Sequence, residues 1–220
     1  MNPTSIWAVL TGETVGSSRL AEAVREVLDA VTLQSFASLA KTFDGAFTLA
    51  IDSSRADSWQ MATPHPHIAL RAALYFRAEV KARMGSYNVD TRIAIGVGSV
   101  DAAPRLRVSD GDGPAYRRSE LALETMPRTR RLALRLEDQP LSPGFDEMLG
   151  LVDHVAARWT DKQALAVTGA LQGWTQQRIA SSWDRVGQAA VSQQTVAQHL
   201  HRAGWQALAP AVDFLEGLLA

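Results

Sequence analysis

The alternation of apolar and polar positions changes character near residue 137: period-two runs and helical stripes mix before it, and only helical stripes follow. Residues 6–11 form a short apolar run ending at Gly12, the mark of a buried strand. Residues 19–31 carry Leu20, Val24, Val27 and Leu28 on one side, which predicts an amphipathic helix. Residues 47–52 alternate as a half-buried strand does, and 59–62 is its expected partner across a polar turn at 53–57. A long helix is predicted over 68–84, with Leu70, Leu74, Ala78 and Lys81 spaced along it. Residues 92–100 are the most strand-like run, Ile93, Ile95 and Val97 alternating with Ala94, Gly96 and Gly98. Those glycines imply that another backbone or a ligand comes close. The carboxylate-rich turn 110–114 opens a helix through Ala115, Ser119, Ala122 and Leu123. Residues 128–136 then alternate arginine with leucine, a strand whose basic outer face includes Arg131 and Arg135. Charge protecting a solvated edge strand explains that face, as does contact with phosphate or a partner's carboxylates. This order of elements suits an α+β sandwich of ferredoxin-like kind, with helices on one face of a mixed sheet.

Pro140 and Pro143 mark residues 137–144 as the best linker in the chain. The expected organisation is an α+β domain over 1–138, a linker and the start of a connecting helix over 139–150, and a small all-α domain over 151–220. That last part reads as a helix-turn-helix. Thr160 and Gln163 have the spacing of a capping box, and the helix they open runs through Leu165, Val167 and Leu171 to a stop at Gly173. Thr175 caps a second helix that turns Ile179, Ala180 and Trp183 inward. Ser192 caps a third, in which Val196, Leu200 and Ala203 form an apolar stripe opposite Gln194, Gln198 and His201. Glutamine pairs bidentately with the adenine edge in the major groove, which admits a helix of this size. The candidate DNA contacts are Thr175, Gln176, Ser192, Gln193, Gln194, Thr195, Gln198, His201 and Arg202.

A plain helical hairpin with solvated glutamines is the competing reading. The link over 181–191 exceeds a tight turn, leaving room for the second helix to run another turn to Val186. The tail is not basic either, since Arg158, Lys162, Arg178, Arg185 and Arg202 are offset by Asp153, Asp161, Asp184, Asp213 and Glu216. Phosphate contacts dominate non-specific affinity, so one copy alone should bind DNA weakly and a homodimer is expected. Its two recognition helices would lie about one helical turn apart on a palindromic site.

The net charge of −1 argues against a general polyanion binder, and zero cysteines exclude disulfides and thiolate chemistry. No apolar run is long enough to span a membrane and no export leader is visible, so a cytoplasmic protein is expected. His65 and His67 stand at metal-ligand spacing, but their proline neighbours and the lack of a third ligand favour a solvated loop. The loop 12–18 lies between a strand and a helix, a common way to present amides to phosphate. It has no Walker lysine and no dinucleotide fingerprint.

Five segments together resemble the bacterial SatD-like family. Residues 12–19 (Gly-Glu-Thr-Val-Gly-Ser-Ser-Arg) are similar to its Gly-Asp-Ile-(Ile/Val)-Gly-Ser-Arg stretch, and 56–60 (Ala-Asp-Ser-Trp-Gln) to its Gly-Asp-Glu-Phe-Gln hairpin. Residues 92–98 resemble its Arg-x-Gly-Ile-Gly-x-Gly strand, 112–115 its Asp-Gly-Pro-Ala helix start, and 159–163 its Trp-Thr-x-Lys-Gln segment. The resemblance implies a domain similar to class III nucleotide cyclases and GGDEF enzymes, fused to a DNA-binding helix-turn-helix. In those enzymes two acidic residues hold divalent metal against a triphosphate. The matching positions are Glu13 and Asp57, with Gly16, Ser17 and Arg19 beside them in a nucleotide or magnesium site. Three departures weaken that chemistry: Glu13 replaces aspartate, Ala56 replaces the hairpin glycine, and Ser58 replaces the next carboxylate. The expected protein is therefore a dimeric, sequence-specific transcriptional regulator that binds double-stranded DNA. Its cyclase-like domain would serve dimerisation or ligand sensing, with no catalytic residue assigned. A metal-dependent nucleotide-binding enzyme and a protein-interaction module are the alternatives.

Overall fold

A computed structural model describes residues 5–55, 58–136, 141–186 and 189–219. It is an α+β structure. Strand β1 (Ile6–Val15) is central, because Ala8, Val9 and Leu10 are all buried and both edges are paired. Antiparallel neighbours are β3 (Ser58–Thr63) on one side and β4 (Asp90–Ser99) on the other. Strand β2 (Asp52–Arg55) extends the sheet antiparallel to β3, and β5 (Leu132–Arg135) extends it parallel to β4. The strand order is therefore β2-β3-β1-β4-β5.

Helices cover both faces of this sheet, not one. Helices α1 (Glu22–Thr42) and α2 (Ala69–Met84) share one layer, where Ala8, Leu10, Ile93 and Ile95 meet Leu28, Phe36, Leu70 and Phe76. Helix α3 (Pro114–Thr125) takes the other face, over Val9, Ala62 and Ala94. The glycine pattern in β4 accounts for it: a Cβ on Gly96 would stand 2.2 Å from the Ala115 carbonyl oxygen and 2.3 Å from the Ser119 amide nitrogen. What comes close at this strand is the backbone of α3.

Three elements depart from the periodicity. Helix α1 continues eleven residues past the expected stop at Val31, ending at Thr42, because Ser35, Phe36 and Leu39 carry its buried stripe onward. The alternating run 47–52 contributes only Asp52 to a strand. Phe47 instead packs edge-on against Phe36 and Phe43, with ring centroids 6.5 and 6.4 Å apart, and Ile51 is buried beside them. An aromatic plug, unlike a strand, does not need a partner backbone. The basic strand also shortens, to Leu132–Arg135.

The chain then becomes wholly helical: α4 (Pro143–Ala157), α5 (Asp161–Leu171), α6 (Gln176–Ser181), α7 (Gln193–Arg202) and α8 (Trp205–Gly217). These helices continue one hydrophobic core from the sheet: Leu149, Leu165, Val167, Val196 and Val212 belong to the same cluster as Leu70 and Leu74. Helix α2 lies between the two parts, which is why nearly its whole surface is buried, Arg77 and Lys81 included. Arg77 is wholly buried and grips Asp90 with two bonds, Nε–Oδ1 at 2.7 Å and Nη2–Oδ2 at 2.8 Å. Its Nη1 donates to Asp153 of α4 at 2.6 Å, and the other oxygen of Asp153 accepts from the Arg131 amide at 2.7 Å. Lys81 completes the joint, donating to Asp90 at 3.4 Å and to the Ala157 carbonyl at 3.1 Å. Burial pushes the Asp90 carboxyl up, but Arg77 and Lys81 outweigh it and hold the group below the usual aspartate range.

Candidate functional site

The tail builds its exposed polar face by local rules. Thr160 caps α5 in a full capping box: its hydroxyl accepts from the Gln163 amide at 3.4 Å and its amide donates to the Gln163 side chain at 3.1 Å. Gly173, at φ 70°, ends that helix in the left-handed conformation. The Thr175 hydroxyl accepts from the Arg178 amide at 3.3 Å to start α6, and the Ser192 hydroxyl from the Thr195 amide at 3.2 Å to start α7. Between α6 and α7 the chain makes a short 3-10 turn, Trp183–Val186, so the second helix does not simply extend.

Helix α7 is two-sided. Val196, Leu200 and Ala203 are buried, while Ser192, Gln193, Gln194, Gln198, His201 and Arg202 are exposed and Thr195 is partly so. Thr175 and Gln176 lie at the start of α6, the first exposed and the second half-buried. Two contacts that a helical stripe does not reveal set α7 in place, and a third brings α6 onto α5. Trp159 Nε1 donates to the Ala203 carbonyl at 3.0 Å, fixing the end of the helix. Trp183, almost fully buried, meets the His199 ring at 5.4 Å. Gly169 lets α6 approach α5: a Cβ there would stand 2.6 Å from Ile179 Cγ1. The unusual glycine in the middle of a capped helix is the one sequence signal for this packing. Burial, with the charges of Lys162 and Arg202, lowers the pKa of His199, so the imidazole favours its neutral form.

The second candidate region lies at the end of β1. Glu13, Gly16 and Ser17 line an open cleft of about 480 Å³ together with Arg92, Arg128 and Arg131. Gly16 is at φ 96°, and a Cβ there would stand 3.2 Å from the Asn88 carbonyl oxygen, so the bend requires glycine. Ser17 is buried, its hydroxyl donating to the Thr14 carbonyl at 3.4 Å; Arg19 is exposed and stands outside the lining. Asp57, expected as the second acidic residue, falls outside the described residues. Glu13 is paired with Arg92, whose other nitrogen donates to the carbonyls of Leu123 at 3.4 Å and Met126 at 2.8 Å. Arg92 thus closes the end of α3 and neutralises Glu13 together, a role its place in a strand pattern does not disclose.

Among the described residues no three histidine or acidic side chains converge as a metal site. His65 and His67 are both exposed, their rings 6.0 Å apart. No helix among the described residues is long and apolar enough to cross a membrane. Comparison of the chain with protein-family models and with curated proteins gives no match to either.

Proposed function

We propose that the chain is a sequence-specific DNA-binding regulator, acting as a homodimer, in which α6 and α7 form a helix-turn-helix and α7 reads the major groove. One observation carries the reading: α7 buries Val196, Leu200 and Ala203 while holding Gln194, Gln198, His201 and Arg202 toward solvent. A helix fixed by its apolar stripe and bearing amides outward can enter the groove without rearranging. The strand order β2-β3-β1-β4, with α1 and α2 on one face, suits a ferredoxin-like sandwich of the cyclase type, as the SatD-like resemblance implies. In this reading that sandwich is a platform without turnover, since Glu13 is already engaged by Arg92.

Selection of bound sequences from a randomised DNA library at near-physiological salt tests the proposal, and a palindrome is expected. Gln194→Ala combined with Gln198→Ala should then weaken binding to the recovered site about 10- to 100-fold, with the fold unchanged. Recovery of no sequence, at low salt as well, would overturn it.

The cleft supports a second reading, a nucleotide-binding protein. Arg92, Arg128 and Arg131 line it together with Glu13, and arginine is well matched to phosphate. Calorimetry with a nucleoside triphosphate and magnesium or manganese tests it: no heat of binding with either metal ends this reading. Binding that Asp57→Asn abolishes would carry it.

A further inference from the structure

Helices α4 and α8 lie side by side and run antiparallel. Phe145 and Phe214 stack at one end, with centroids 6.1 Å apart, and at the other a Cβ on Gly204 would stand 3.2 Å from Val155 Cγ1. Their inner sides fill the core with Leu149, Val152, Leu208, Val212 and Leu215. Their outer sides carry large apolar side chains as well, beside the charged Glu147, His154, Arg158 and Asp213. Leu151 is 68% exposed, Phe214 51% and Leu218 41%, with Pro210 exposed and Met148 half-buried among them. Large apolar side chains gathered on the open side of a helix pair mark an interaction surface.

We propose that this face is where two copies of the chain pair, with the α4 helices antiparallel across Leu151. Charge decides the occupant. One turn before Leu151 the exposed side of α4 carries Glu147; after it come His154 and Arg158, joined to each other at 3.0 Å. An antiparallel copy of the same helix sets Glu147 against His154 and Arg158 of the other copy, twice over, with the leucines in contact at the centre. Such self-complementarity is what a two-fold interface requires. The area agrees. At 1.5 Å per residue the 15 residues of α4 and 13 of α8 give a patch about 20 Å long and two helices wide. Pairing two such patches buries on the order of 1,000 Å², the lower edge of a specific interface. The functional meaning of this dimer rests on the DNA-binding reading, because α8 follows α7 directly at Gly204 and would join the two recognition helices; its existence does not.

The chain has no cysteine, so a single introduced thiol reports on one position. In the full-length protein without DNA, mild oxidation of Leu151→Cys is expected to give a cross-linked dimer, and Leu106→Cys, exposed in a loop, is the control. Sedimentation of the wild type up to about 100 µM should show association to twice the 23.8 kDa chain mass. Leu151→Glu with Phe214→Glu should weaken it about 30-fold or more while the circular dichroism spectrum is kept. If that variant does not fold, Glu147→Arg and Arg158→Glu decide: each alone should weaken pairing, and the two together should restore it. A wild type that stays monomeric overturns the proposal. So does equal cross-linking of both thiol variants, or a dimer indifferent to the charge reversals. A dimer that selects no DNA would overturn the functional reading alone, and a monomer that selects a defined site would overturn the pairing, here and in that reading, while DNA binding stands.

Discussion

The cleft beside Glu13 and the outer face of α7 are both polar, yet they use polarity in opposite ways. In the cleft, charges meet each other: Glu13 pairs with Arg92, and Arg92 closes α3 through the Leu123 and Met126 carbonyls. On α7, Gln194 and Gln198 point to solvent from a helix whose caps and apolar stripe are already complete. Polar side chains engaged by the fold hold it together; those left over are available to something outside. The joint at Arg77 is the extreme of the first kind, and it gives the comparison its scale.

The sharpest challenge is Arg77→Ala, which leaves the buried Asp153 with only the Arg131 amide and Asp90 with only Lys81 and the Thr91 amide, and should cost about 3–5 kcal/mol of stability. Chemical denaturation measures it, and a loss below about 1 kcal/mol would show that the joint is not a structural centre. The same variant has a pH signature. Because Asp90 titrates below its ordinary range, its contribution is present above about pH 4 and is lost as pH falls through the depressed value. Without Arg77 only Lys81 and the Thr91 amide oppose the effect of burial on Asp90, so acid unfolding should begin at higher pH.

Arg92→Ala comes next. It removes two bonds to carbonyls and the partner of Glu13, for an expected loss of about 2–3 kcal/mol in the same assay. If stability were unchanged but anion binding vanished, the cleft would belong with α7 as a surface held for a ligand. Ser192→Ala takes one cap from α7 and should cost about 1 kcal/mol. The smallest effect sharpens the contrast most: Gln194→Ala with Gln198→Ala should leave stability within about 0.5 kcal/mol of wild type. A larger loss would mean that these amides serve the fold after all.

What the sequence made legible follows the reach of each interaction. The helix starts at Thr160, Thr175 and Ser192 depend on residues three apart, and the stop at Gly173 on a single backbone conformation, so the tail could be read locally. The tight approach at Gly96 was legible because nothing but a missing side chain permits it. Longer-range matters were hidden. Phe47 fits a strand pattern in the sequence, and only the rings of Phe36 and Phe43, brought to it by the fold, make it part of an aromatic plug. Arg92 read as one polar position in an alternating strand, since its carbonyl partners lie more than thirty residues away. The helices of the tail were expected to form a separate domain, and nothing local to Arg77 announces that Asp153, 76 positions later, will reach it. Lys81 carried a hint, standing among apolar positions of its helix.

The continuous core has a consequence for the birth of the protein on the ribosome. Helix α2 ends at Met84, and α5, which packs against it, does not begin until Asp161. At 5–20 residues per second the nascent chain carries one side of α2 uncovered for about 4–15 s. Exposed apolar surface of this kind is what chaperones bind, and a message that pauses inside the interval would prolong the exposure.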